Sequence, residues 1–171
     1  MIRLIGSILV AGGMAAAGLS AVKKLSVHVA ALSSMINALE IMQLEICFRL
    51  TPIPETVKML AATAEGPARE FFADCRKRLD SENCSSFQET WNAALREDEC
   101  MGLSEQERQI ISDLGPVLGR YDAEGQEKAL GYARRRLEAF LTRAELERGR
   151  QGKVYGTLGA VLGILAVIIM I

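Results

Sequence analysis

Histidine occurs once in this chain, at position 28, and tryptophan once, at position 91. A Ser-His-Asp or Cys-His arrangement would have to use His28, which falls about one turn past a long uncharged segment and makes a poor catalytic centre. The four cysteines, Cys47, Cys75, Cys84 and Cys100, contain no CxxC pair, which argues against a zinc knuckle or a thioredoxin-like site. GxxxxGK[ST], GxGxxG and HExxH are all absent. Gly115 and Gly119 punctuate an apolar stretch but lack the Lys and Ser/Thr that follow a phosphate loop, so they read as helix bend and helix cap. The carboxylates are spread over helix surfaces without a paired motif. No catalytic, metal-binding or cofactor-binding residues are expected, and an enzyme is not.

Charge is missing from two stretches, Leu4–Val22 and Val154–Ile171. At a helical rise of ~1.5 Å per residue, the first covers about 28 Å, close to a hydrocarbon core of ~30 Å. Of the 20 Lys+Arg only Arg3 lies outside residues 23–153, and all 21 Asp+Glu lie inside, so the middle is net acidic by two charges. That balance gives no general attraction to nucleic acid. Lys23 and Lys24 follow the first stretch, and Arg143, Arg148, Arg150 and Lys153 precede the second. Positive residues resist translocation, which places the middle in the cytoplasm and both termini outside. The domain plan is residues 1–24 as an N-terminal transmembrane helix, 25–150 as a cytoplasmic domain and 151–171 as a C-terminal transmembrane helix. Lys23, Lys24, Arg148, Arg150 and Lys153 are the membrane-flanking residues expected to meet anionic headgroups.

A competing reading takes Met1-Ile2-Arg3, the apolar Leu4–Met14 and Ala15-Ala16-Ala17 as a cleaved export signal. The middle would then be an exported helical interaction domain anchored at its C-terminus, and two disulfides could form. Lys23 and Lys24 directly after the segment argue against it. In a cytoplasmic domain Cys47 and Cys75 are reduced and read as small apolar core residues.

Between the ends the pattern is helical throughout, with no convincing strand. Leu25, Val29, Leu32, Ile36, Leu39, Met42, Ile46 and Leu50 recur at steps of three and four, and Ile41, Leu44 and Phe48 add a second stripe. A helix apolar on two sides is expected at the centre of a bundle. Pro52 and Pro54 break it and open a second helix near Pro54; Gly66-Pro67 opens a third, burying Phe71, Phe72, Cys75 and Leu79. Ser86 with Glu89, and Ser104 with Glu107, have capping-box spacing and start a fourth and a fifth helix, the fifth bending at Gly115-Pro116. Gly119 suits a left-handed cap and Asp122 the N-cap of a sixth helix running to about Gly149, antiparallel to the fifth. The expected fold is all-α: a six-helix, mostly antiparallel bundle flanked by N- and C-terminal transmembrane helices.

Trp91 reads as core first and as a partner anchor second. Arg134, Arg135 and Arg136 are a candidate interaction cluster, with a solvated helix face as the plainer reading. Gly152/Gly156 and Gly159/Gly163 are GxxxG pairs, which fit either homo-oligomers in the membrane plane or pairing of the two spans within one chain.

The order Thr51-Pro52-Ile53-Pro54-Glu55, Phe71-Phe72, Ser86-Phe87 with Trp91-Asn92-Ala93-Ala94-Leu95, then Leu114-Gly115, Leu118-Gly119, Asp122 and Gln126, and finally Tyr155-Gly156 with Leu158-Gly159, resembles stage III sporulation protein AB of endospore-forming bacteria. The likeness covers nearly the whole chain. Thr56 and Thr90 stand where alanine is expected, and Ser26–Ala31 lacks the basic residues of that zone. The resemblance implies a structural part: a domain similar to the cytoplasmic domains of type II secretion inner-membrane platform proteins. It also implies a place in the mother-cell membrane facing the forespore, among other sporulation channel proteins, coupled to a secretion-type ATPase.

Overall fold

A computed structural model of the chain describes the backbone of residues 2–81, 86–97, 102–118, 120 and 122–170, and the side chains of 20, 23–81, 86–97, 102–118, 120 and 122–150. The described residues form six α-helices and no strand: α1 Ile2–Gln43, α2 Ile53–Thr63, α3 Gly66–Leu79, α4 Phe87–Glu97, α5 Glu105–Ser112 and α6 Ala123–Met170. The all-α expectation holds. The backbone is helical over Leu4–Val22 and over 154–170, and neither stretch forms a separate helix: the first belongs to α1 and the second to α6. By contact the chain divides into two compact units, His28–Thr142 and Met1–Val27 with Arg143–Ile171.

In the His28–Thr142 unit, α1 buries Val29, Leu32, Ile36, Leu39 and Met42, and the π-helical turn that continues it buries Ile46, as the main stripe requires. The second stripe does not follow: Leu44 and Phe48 are exposed, and so is Leu50 from the end of the first stripe. At 3.6 residues per turn the two stripes lie nearly opposite on the helix. Ala31, Met35 and Ala38 widen the buried arc on the inner side instead, so α1 is one-sided rather than central.

Proline and glycine start the next two helices. Pro54 and Pro67 sit in the first turns of α2 and α3, where a missing N–H costs nothing. Gly66 turns left-handed (φ +57°) to start α3. Ser34 of α1 accepts the Ala68 N–H at 3.3 Å, tying the first turn of α3 to α1. Short links bring consecutive helices together, and α2 packs on α3, α3 on α4 and α4 on α5.

The core centres on Trp91, fully buried with Phe71 and Phe72. Phe71 and Trp91 meet edge-to-face with centroids 4.8 Å apart, and the indole Nε1–H donates to the Ile111 carbonyl at 2.8 Å. Burial of three such rings contributes about 1.5–3 kcal/mol each. The tryptophan is therefore core, with its one polar atom satisfied. α5 stops at Ser112 and the chain turns through Asp113–Leu118, so Gly115-Pro116 ends this helix rather than bending it. A Cβ on Gly115 would stand 3.1 Å from Trp91 Cδ1, so the glycine makes room for the indole. Ile110, Ile111, Leu114 and Leu118 are buried as the pattern indicates. Asp122 caps α6, its Oδ1 accepting the Gly125 N–H at 3.0 Å. Gly119, Cys84 and Cys100 lie outside the described residues.

Candidate interaction surface

The flanking basic residues lie within the long helices, beside the uncharged stretches rather than at the helix ends. Lys23 and Lys24 on α1, and Arg148 and Arg150 on α6, are exposed; the side chain of Lys153 and those of the GxxxG glycines lie outside the described residues. In the same unit Val27 and Leu146 are large apolar side chains left exposed, Leu146 at 71%. Among the described residues one stretch, Lys23–Phe48, is long and apolar enough to cross a membrane; 44% of its most apolar window is buried, as suits the inner face of α1.

The arginine run on α6 is divided among different tasks. Arg134 is half-buried and faces Glu40 at 3.4 Å and Glu138 at 3.5 Å. Arg136 stacks its guanidinium over Tyr132 at 5.7 Å. Arg135 is exposed and lines an open cleft of about 370 Å³ with Gln43, Glu124, Glu127, Lys128 and Gly131. The three side chains do not converge on one point. Glu124 and Lys128 form their i,i+4 pair at 2.6 Å, a surface pair worth ~0–1 kcal/mol.

His28 has a structural task that sequence reasoning missed. Its Nδ1 lies 2.6 Å from the Gly102 carbonyl and its Nε2 3.3 Å from Glu107 Oε1. The carbonyl only accepts, so in this hydrogen bond the imidazole Nδ1 is the donor. Glu107 is buried and its Oε2 accepts the Ser104 N–H at 2.7 Å, closing the capping box at the start of α5. One carboxylate thus fastens two segments that are distant in sequence. Ser104 and Glu107 were legible as a cap; nothing local pointed to a histidine 79 positions upstream. Among the described residues no three His, Cys, Asp or Glu side chains gather as metal ligands.

At the far end of α1 the helix loosens into a π-helical turn, Leu44–Phe48. Cys75 is fully buried, as expected, whereas Cys47 in this turn is only half-buried. Burial, and secondarily the nearby Glu127 carboxylate, push the Cys47 thiol above its ordinary range. Leu44, Phe48 and Leu50, in the turn or just after it, are exposed.

The sequence matches the stage III sporulation protein AB family across residues 3–171, both apolar ends included. The chain belongs to that family. Stage III sporulation protein AB of Bacillus subtilis (strain 168) is 22% identical over 171 residues, covering 99% of each chain. A solved structure of a stage III sporulation protein AB superposes with a TM-score of 0.65 at 22% identity, covering 72% of this chain and 98% of that one, which establishes the bundle fold. Membership gives the chain a sporulation-related role within a family of structural components rather than enzymes. The motif that carries the resemblance is itself architectural: Leu114, Leu118 and Gln126 are buried and Asp122 is a cap. Thr56 and Thr90 are both buried, and the Thr56 hydroxyl donates back to the Pro52 carbonyl at 3.1 Å.

Proposed function

We propose that this chain is a non-enzymatic platform in the membrane of the mother cell facing the forespore, linking a cytoplasmic secretion-type ATPase to the other proteins of a sporulation channel. The observation that carries the reading is the end-to-end family match, which includes both uncharged terminal segments. In this reading α1 and α6 anchor the chain in lipid, and Lys23, Lys24, Arg148, Arg150 and Lys153 hold the bundle on the cytoplasmic side. The exposed Val27 and Leu146 support the same reading, since apolar side chains beside basic ones suit the headgroup boundary. In this reading the bundle is the part that a partner grips.

Deletion should block spore formation after engulfment, and the full chain in detergent should retain the ATPase of the same apparatus. Normal spore yield in a null strain would refute the sporulation role. A reporter inserted near Ser85 that is active outside the cell would reverse the topology.

A further inference from the structure

α6 runs without a break from Ala123 to Met170, yet its packing stops partway. Ala144 is the last buried side chain of the helix among the described residues. The positions that follow, 145–150, are all exposed. At about 100° per residue that stretch goes round the helix more than once, so no face of it is buried there. By contact the bundle unit closes at Thr142, just before this stretch. A helical segment with no packed face depends chiefly on its own hydrogen bonds and propensity, and so short a length is marginal on those.

The sequence weakens this segment further. Gly149 falls within it and Gly152 just beyond, and glycine is the poorest helix former after proline, through backbone entropy and exposed peptide groups. Packing does not require Gly149: a Cβ built there meets nothing within 4 Å, whereas one on Gly115 would meet Trp91 and one on Gly131 would meet Arg135. The backbone does not require it either, since Gly149 is helical and alanine suits that conformation better. α1 is built differently beside its own uncharged stretch. It has no glycine after Gly18, and although Lys23, Lys24 and Val27 are exposed, the half-buried Leu25 and Ser26 give that turn a covered side. We propose that 149–152 is a hinge in α6, where the helix opens reversibly between the bundle and the uncharged stretch. Of the two long helices, α1 transmits bending and α6 absorbs it. The hinge goes beyond the platform reading and needs neither its ATPase nor its channel.

Hydrogen exchange read by mass spectrometry, on the full chain in lipid vesicles, tests it. Corrected for intrinsic rates, amides of 146–152 should exchange at least about tenfold faster than those of 23–29 in α1. Gly149→Ala combined with Gly152→Ala should slow 146–152 at least about tenfold, at roughly fivefold per substitution, and leave exchange over 35–42 and the melting temperature unchanged. Adding Gln151→Gly to that pair should speed 146–152 again by about fivefold, because a hinge needs glycine but not on a given face of the helix. Equal exchange in the two helices, an alanine pair without effect, or no recovery with Gln151→Gly would overturn the inference. The last result would mean that Gly149 and Gly152 serve a contact on one face instead. Spore yield and copurification of the ATPase bear on the platform reading alone, so the two can fail separately.

Discussion

Around Trp91 the large apolar side chains are enclosed on every side, whereas at the outer end of α1 they stand in water. Both regions belong to the same unit and use the same residue types. Phe71 and Phe72 are fully buried because α4 supplies an indole for them to pack against, itself held by the Ile111 carbonyl of α5. Phe48 lies on the side of α1 away from the buried arc, and its helix ends within two residues. Apolar side chains thus serve stability in one place and accessibility in the other, and the difference lies in what the rest of the chain brings alongside.

Four measurements would break or sharpen this contrast. Trp91→Ala should cost ~3–5 kcal/mol in chemical denaturation, because it empties the largest filled volume in the core and removes the indole's hydrogen bond to the Ile111 carbonyl. A loss below about 1 kcal/mol would mean that the aromatic cluster is not the centre of the fold. Gly115→Ala should cost about 1–3 kcal/mol, since the new methyl group meets Trp91 Cδ1 at 3.1 Å and the Ser112 carbonyl at 3.3 Å.

At the exposed end the sign reverses. Leu50→Gly should stabilise by about 0.5 kcal/mol, the relief of a left-handed leucine exceeding the entropy that glycine adds to the unfolded chain. A clear loss would show that Leu50 packs in solution. The smallest effect is chemical. With its pKa raised, Cys47 should alkylate more slowly at pH 8 than an unstructured thiol, and accelerate as pH climbs beyond 9. Linkage has the same sign: the folded chain holds this proton more tightly, so any stability Cys47 contributes is complete below the unfolded thiol's pKa and declines as pH rises through the folded value. Mass spectrometry of the Cys47 peptide measures the rate.

Local signals carried much of the fold. Ser104 and Glu107 were legible as a cap because they lie one turn apart, and Pro54 and Pro67 marked helix starts because proline's fixed φ and missing N–H suit a first turn. The family was legible for a related reason: its motif places buried leucines and a cap at fixed spacing. The candidate surface was not legible, because Leu44, Phe48 and Leu50 continue a periodicity that burial would equally explain. The arginine trio was legible as charge, and its side chains point apart because neighbouring positions on a helix differ by about 100°.

The amino-acid order alone settled the helical class, the capped starts of α5 and α6, the terminal uncharged segments and the family, since these depend on residues within a turn or two of each other. Only the assembled bundle decided which stripe of α1 is buried, that Leu50 is left-handed and bare, and that His28 meets a buried carboxylate 79 positions away. Burial and pairing depend on neighbours delivered from distant parts of the chain, and no local periodicity encodes which neighbours arrive.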